Sequence, residues 1–540
     1  MAIYKSRINT QSSAFADNRS DMLALVDRLH ALNARGAELS EKRRERFESR
    51  GQLLPRERLS SILDPGMPFF DIGNLAGYLQ DGQPEERSLP GGNVIVGIGF
   101  IAGTRCMLSV SDSGIQAGSL TEATAYRIFR AQEIALRQKL PFVHLVESAG
   151  ANLMQYTVGG FVKGGTFFAN LARLSAAGIP VVNILHGSST AGGAYMPGMS
   201  DYVVAVRDRA KAFLAGPPLL KAATGEIATD EELGGARMHA EVSGLVEYLA
   251  DDDADATRIG REVVARLHWN DRLEPARRRE AAPPTLDPDE IAGIVPIDYR
   301  VPYEVREVIA RTVDASDFLD FKPGFGVSTV CVQAEIFGVG CGIVSNNAPI
   351  DPDGAAKVTQ FLQLCDQSDL PVVFLQNTTG YLVGKRYEQG GMIKHGAKMI
   401  QAVTNISVPR ITVNIGASYG AGNYGMCGRG MDPDFLITWP NASTGVMGGE
   451  QAAQTMSIVM RGAAKAKGQE LDESTIAQQE KQLAALFDGQ SDAFYTSGHL
   501  LDDGMIDPRD TRRATGFLLE TVREARRRTT TPNSFGVARI

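Results

Sequence analysis

The stretch Val181-Val182-Asn183-Ile184-Leu185-His186-Gly187-Ser188-Ser189-Thr190-Ala191-Gly192-Gly193-Ala194-Tyr195 runs from an apolar segment of strand length, through small residues, to paired glycines. The pattern predicts a strand that stops near Gly187 and a helix that starts near the glycines. The first N–H groups of a helix have no partner inside it, and glycine lets a guest come close to them. The expected guest is an anion, or an oxygen gaining negative charge. Gly192 and Gly193 are therefore the first candidate catalytic residues, as backbone donors of an oxyanion site.

The same order returns about 230 residues later in Pro409-Arg410-Ile411-Thr412-Val413-Asn414-Ile415-Gly416-Ala417-Ser418-Tyr419-Gly420-Ala421-Gly422-Asn423-Tyr424-Gly425. The strand before it is repeated too, as Leu140-Pro141-Phe142-Val143-His144-Leu145-Val146-Glu147-Ser148-Ala149-Gly150 and Leu370-Pro371-Val372-Val373-Phe374-Leu375-Gln376-Asn377-Thr378-Thr379-Gly380. A duplicated chain with one such turn in each half implies two carbonyl groups to polarise, the second at Ala421 and Gly422.

At 540 residues the chain is too long for one ordinary core, so the repeat predicts two domains, 1–280 and 281–540, with a polar, proline-rich linker over Asp271 to Asp289. A formal net charge of -8 argues against a nucleic-acid partner. The first residues lack the apolar core of a signal peptide, and no apolar run reaches the ~20 residues that span a bilayer, so no membrane association and a cytoplasmic location are expected. Cys106, Cys331, Cys341, Cys365 and Cys427 are scattered without a Cys-x-x-Cys pair. Neither a disulfide framework nor a metal site on this chain is expected.

In order, the chain predicts a charged helix from about Asp17 to Gly51 with an apolar stripe at Met22, Leu23, Leu25, Val26, Leu29 and Leu32. Paired strands then meet at a turn over Ala102-Gly103-Thr104, followed by a helix over Thr121 to Gln138, the Pro141 strand, and a helix from about Thr166 to Ala177. The second half repeats the plan, with a glycine-rich loop at Gly380-Tyr381-Leu382-Val383-Gly384. Alternating strands and helices make the fold class α/β.

Sharper motifs fail. Gly187-Ser188-Ser189-Thr190-Ala191 misses the final glycine of a nucleophile elbow. No phosphate-binding G-x-x-x-x-G-K-[ST] loop is present. Glu147 stands at a strand end where a general base could sit, but its repeat counterpart is Asn377. His144 and His186 lie in apolar strands, where a core histidine is the ordinary reading.

Several long motifs carry a resemblance. Gly420-Ala421-Gly422-Asn423-Tyr424-Gly425-Met426-Cys427-Gly428-Arg429, Trp439-Pro440-Asn441-Ala442, Val446-Met447-Gly448-Gly449-Glu450-Gln451-Ala452-Ala453 and Phe374-Leu375-Gln376-Asn377 closely resemble the carboxyltransferase β subunits of biotin-dependent acyl-CoA carboxylases. Arg56-Glu57-Arg58-Leu59, Ala131-Gln132-Glu133-Ile134-Ala135 and Gly216-Pro217-Pro218-Leu219 extend the match over nearly the whole chain. Within that family the chain resembles the methylcrotonoyl-CoA and geranyl-CoA carboxylases most.

The resemblance implies two tandem crotonase-like domains and an active site shared between subunits. Gly192 and Gly193 would hold the thioester oxygen of an acyl-CoA substrate. Ala421 and Gly422 would hold the ureido oxygen of carboxylated biotin, with Gly380, Tyr381 and Asn377 as residues of the biotin side. Carboxyl transfer would then need no side-chain base. Gly396-Ala397-Lys398-Met399 only partly echoes a biotin-attachment sequence, so biotin would come on an α subunit carrying biotin carboxylase and biotin carrier functions. The implied assembly is a hexamer of β subunits within six α and six β chains.

Two departures stand out. Many members read Lys-Gly-Gly-Thr where this chain has Gln116-Ala117-Gly118-Ser119. The bulky phenylalanine typical of methylcrotonoyl-CoA carboxylases falls at Gly164, beside Gly165, as in the geranyl-CoA enzymes. Gly164 and Gly165 are thus the acyl-pocket candidates, and geranyl-CoA the expected substrate. Methylcrotonoyl-CoA is the alternative; a crotonase-type hydratase or hydrolase using Glu147, and a non-catalytic scaffold for carboxylase subunits, are the readings from other classes.

Overall fold

The protein, as a computed structural model, is described for residues 4–150, 152, 157–276, 279–467 and 472–538. Arg277 and Arg278 of the expected linker lie outside the described residues. Two compact units form: Met1–His30 with Arg277–Glu520, and Ala31–Ala276 with Thr521–Ile540.

Each unit is organised on one sheet. In the unit holding Ala31–Ala276 the strands are β1 (Phe70–Asp71), β2 (Val94–Ile101), β3 (Thr104–Ser111), β4 (Phe142–Ser148), β5 (Val181–Thr190), β6 (Tyr202–Val206), β7 (Lys211–Phe213) and β8 (Tyr248–Ala250). They run in the order β1-β2-β3-β4-β5-β6-β8, with β7 on β5. The other unit has β9 (Phe318–Asp320), β10 (Thr329–Ile336), β11 (Val339–Asn346), β12 (Val372–Thr378), β13 (Arg410–Tyr419), β14 (Phe435–Thr438) and β15 (Ser443–Gly445), in the order β9-β10-β11-β12-β13-β14, with β15 on β13. Apart from β8 the two orders are the same. The ladder slips at the same place in both, between Val146 and Ser148 and between Gln376 and Thr378. The duplication in the sequence is a duplication of topology.

Local chemistry explains the shared elements. Ala102 and Gly103 both take left-handed φ, 48° and 74°, which makes the two-residue hairpin turn whose twist suits β2 and β3. Glu122–Arg137 is capped by Thr121, which accepts the Thr124 N–H, and the equivalent Pro352–Gln367 by Asp351, which accepts the Gly354 N–H. Buried β-branched and leucine side chains of β3, β4, β5 and β6 form one core, and Val344, Val372 and Phe374 with residues of the helices Pro352–Gln367 and Met392–Asn405 form the other.

Three expectations meet corrections. The helix read as starting at Thr166 is Val158–Ala176, running through both glycine pairs, because Thr157 accepts the Gly160 N–H and opens the helix earlier. The strand read as stopping at Gly187 runs to Thr190, because Ser188, Ser189 and Thr190 pair with β7. A short 3₁₀ turn, Ala191–Ala194, stands where the helix start was expected and leads into the one-turn helix Tyr195–Gly198. The chain ends also exchange units. Phe15 packs on Gly293 and Glu307 accepts from Ser6 Oγ (2.7 Å) and Arg7 N–H (2.8 Å), while Arg105 pairs with Glu524 at 3.1 Å. In the first helix, Ser13–Glu41, the stripe is buried at Met22, Val26, Leu29 and Leu32.

Asp502 is a buried carboxyl whose Oδ1 accepts from Ser497 Oγ (2.9 Å) and the Gly504 N–H (3.0 Å), and the Thr438 hydroxyl also favours its charged form. Burial outweighs those bonds and pushes its pKa up to about 6. The folded state therefore holds this proton more tightly than the unfolded chain, so the stability it contributes is complete below about pH 4 and lost as pH rises through about 6. Asp502→Asn keeps the acceptor and removes the charge. It should flatten the stability profile between pH 4 and 6 and stabilise the protein at pH 8 by on the order of 2 kcal/mol. A variant less stable than wild type at pH 8, by thermal melts across that range, would contradict this.

Candidate active site

At the end of β5, Gly192 is exposed and Gly193 buried, with Ser189 Oγ donating to the Gly193 carbonyl at 2.8 Å. Neither glycine has a positive φ; the left-handed residue of this turn is Ala191, at 53°. What these positions require is space. A Cβ on Gly193 would stand 3.1 Å from Ser189 Oγ, whereas one on Gly192 would meet only Phe168, at 3.9 Å. The first N–H groups of such a turn have no helical acceptor.

The equivalent turn after β13 has Gly420 at φ 55° in the place of Ala191, Ala421 exposed and Gly422 buried. A Cβ on Gly422 would come within 2.8 Å of Gly380 Cα, so the loop carrying Gly380 (φ 125°) packs directly on the turn. Tyr381 reaches inward: its ring lies on Gly396, its hydroxyl stands where a Cβ of Gly425 would fall, and that hydroxyl donates to Met399 Sδ at 3.6 Å. Asn377 Oδ1 accepts the Ala417 N–H at 3.2 Å. Tyr381 thus packs against the turn, while Asn377 is bonded to β13 just before it.

Helix Val158–Ala176 brings the acyl-pocket candidates to the first turn. Gly164 and Phe168 are four residues apart, and Gly165 and Phe168 three, so they share one helix face. Phe168 packs edge-on against Tyr195, ring centroids 5.7 Å apart, and lies beside Gly192. One turn earlier on that face, Phe161 is exposed. Between the two phenylalanines the glycines leave a notch, and a Cβ at either glycine would meet nothing within 4 Å.

Glu147, the alternative base, is held by charge. Arg58 Nη1 donates to it at 2.7 Å and Gln52 Nε2 at 3.3 Å. Burial alone would raise its pKa, but the Arg58 guanidinium outweighs burial and keeps the carboxyl below its ordinary range. Arg58 also binds Asp253 at 3.0 Å, and Asp253 binds His186 Nδ1 at 3.0 Å. Burial works against ionising Asp253, yet His186 and Arg58 bring it down to about 2. This buried network was invisible in the sequence, where Asp253 reads as part of a surface acidic run; the Arg58 motif was its only signal. His144 is buried, with its pKa pushed down to about 3, and bonds Ser200 Oγ at 2.9 Å. Gln116 to Ser119 fold along the end of β4, where Ser148 Oγ donates to the Gly118 carbonyl at 2.8 Å.

All five cysteines are free and buried, and burial pushes the thiols of Cys365 and Cys427 up to about 12. Among the described residues no cluster of His, Cys, Asp or Glu could hold a metal ion, and no helix is long and apolar enough to cross a membrane.

The carboxyl transferase domain model matches residues 46–537. A probable biotin-dependent acyl-coenzyme A carboxylase β2 subunit of Mycobacterium tuberculosis is 46% identical over 99% of this chain and 100% of its own length. The biotin-dependent 3-methylcrotonyl-coenzyme A carboxylase β1 subunit of the same organism is 43% identical, covering 94% of this chain and 95% of its own. The crystal structure of the Pseudomonas aeruginosa geranyl-CoA carboxylase β subunit superposes with a TM-score of 0.92 at 49% identity, over 100% of both chains. With its duplicated crotonase-like units and the turn of small residues at the end of each long strand, the chain belongs to the carboxyl transferase domain family, among the β subunits of biotin-dependent acyl-CoA carboxylases.

Proposed function

We propose that this β subunit transfers a carboxyl group from carboxybiotin to a branched 2-enoyl-CoA of geranyl length. The N–H groups at Gly192 and Gly193 hold the thioester oxygen as negative charge develops on it, and those at Ala421 and Gly422 hold the ureido oxygen. Biotin, carried by an α subunit, supplies the carboxyl group. Donors fixed in the backbone need no reorganisation during reaction, and each is typically worth ~10²- to 10³-fold in rate. The observation that carries the chain-length reading is the notch at Gly164 and Gly165 between Phe161 and Phe168. A longer isoprenoid chain has room there beside the Gly192 turn.

The second reading, methylcrotonoyl-CoA, draws support from the 43% identical mycobacterial subunit. Hydration through Glu147 has little support, because both carboxylate oxygens already take hydrogen bonds. The proposed partners are a biotin-bearing α subunit and five further β subunits, and the proposed location is the cytoplasm.

The test is reconstitution. The purified chain should be negative by avidin blot and by metal analysis, and should carboxylate enoyl-CoA only with its biotinylated α subunit, ATP and bicarbonate. Stoichiometric biotin on this chain would overturn the division of labour, and binding of the α subunit without turnover would favour the scaffold.

A further inference from the structure

The second unit carries a row of buried amides directly behind the Gly420–Gly425 turn. Gln376 on β12 pairs with Asn414 on β13, and Asn414 with Thr438 on β14. Asn346 ends β11, one step beyond the Ser345–Leu375 pair, and so stands beside Gln376. By strand alternation these side chains lie on the sheet face of Phe374, the face covered by helices. Asn346 and Gln376 are 0% exposed, Thr438 2% and Asn414 5%.

Their bonds are incomplete. Gln376 Nε2 donates to the Asn423 carbonyl in the turn at 3.4 Å, and Asn414 Nδ2 reaches Thr438 Oγ1 at 3.5 Å. Gln376 Oε1, Asn414 Oδ1 and both polar atoms of the Asn346 amide have no partner. Buried polar atoms are nearly always satisfied, and where protein groups fail to do it, ordered water does.

The other unit shows that the sheet does not require this. At the equivalent ladder positions Val146 pairs with Leu185, and Leu185 with Ala205. At the positions of Gln376, Asn414 and Thr438 the first unit is thus apolar, while its equivalent of Asn346 is the polar Ser111.

We propose that Asn346, Gln376 and Asn414 bind ordered water, and that this hydrated row, through the Gln376–Asn423 bond, positions the Gly420–Gly425 turn for the biotin side of the reaction. The proposal rests on the reading that Ala421 and Gly422 receive the ureido oxygen. Water supplies the missing donors and acceptors and ties the row into one network. Gln376 is a positioning residue: it touches the turn and not the reacting atoms.

Two experiments test it. A high-resolution crystal structure of the full chain should show water bonded to Asn346 and to Gln376 or Asn414; amides bonded only to one another would overturn the proposal. The double variant Gln376→Val with Asn414→Leu copies the residues that the other unit accommodates at these positions. Carboxyl transfer from carboxylated enoyl-CoA to biocytin, assayed on the β subunit, should show kcat/KM for biocytin about 10-fold lower and KM for the CoA ester unchanged. Gln376→Glu keeps the acceptor but loses the donor to Asn423, and should show the same split. Equal losses on both substrates, or none, would overturn the proposal. Gly422→Val separates this from the underlying reading: if that variant leaves biocytin kinetics intact, the turn is not the ureido site; if it fails while the Gln376 variants act like wild type, only the present inference falls.

Discussion

Valine at Gly193 should cut carboxylation by on the order of 100-fold or more while the β-subunit assembly survives. The expectation comes from space rather than from backbone angle, since neither Gly193 nor Gly422 has a positive φ. A Cβ on Gly193 presses on Ser189 Oγ at 3.1 Å, and that hydroxyl holds the Gly193 carbonyl, so the turn must shift. Gly422→Val meets Gly380 Cα at 2.8 Å and should lose as much. Gly192→Val is the cleaner probe, because its added methyl groups enter the open side beside Phe168 without disturbing backbone. It should melt like wild type and still lose turnover. Gly192→Ala should be milder, since the repeat already carries Ala421 in that place. Subunit assembly by size-exclusion chromatography and initial rates of carboxylation check all four. Near wild-type turnover in a correctly assembled Gly193→Val or Gly192→Val would remove the turn from the mechanism.

Gly164→Phe should separate the two substrates. No atom lies within 4 Å of a Cβ at Gly164, and a phenylalanine in mid-helix has a better helix propensity than glycine, so the fold should hold or gain slightly. The ring would fill the notch between Phe161 and Phe168. Each methyl or methylene group displaced from burial is worth about 0.8 kcal/mol, so losing four of them lowers kcat/KM for geranyl-CoA by on the order of 100-fold. Methylcrotonoyl-CoA lacks the distal isoprenoid unit that the proposed pocket would take, and should be carboxylated as well as before, or better. Steady-state kinetics with both esters under one α subunit decide the matter. Equal loss on both would mean general damage, and no change on either would mean that Gly164 does not line the pocket.

The readable part of this protein was the part governed by local pattern. The repeat, the helix that follows Thr121, the Ala102-Gly103 hairpin and the two glycine turns follow from residues close in sequence. Gly159-Gly160 and Gly164-Gly165 misled, because propensity argues against helix there and the Thr157 cap wins. That error mattered: only a continuous helix puts Gly164 on the face of Phe168, the side chain that lies beside Gly192. The exchange of chain ends depends on contacts such as Ser6 with Glu307 and Arg105 with Glu524, which are some 300 and 419 residues apart. The Arg58, Glu147, Asp253 and His186 network has the same origin. His186 alone reads as a core histidine and Glu147 as a strand-end carboxylate, and their joining with Arg58 and Asp253 follows from the fold that gathers them. Tyr381 and Asn377 enter the reading only through the resemblance, and their inward direction depends on glycines at 396, 416 and 425 that leave room for them.

The substrate assignment stands or falls on the ratio of kcat/KM for geranyl-CoA to that for methylcrotonoyl-CoA, measured on the wild-type β subunit with its own biotinylated α subunit, saturating ATP and bicarbonate. A ratio well above one is the expected result, with product formation dependent on the α subunit. Carboxylation confined to methylcrotonoyl-CoA in a fully active complex would contradict it.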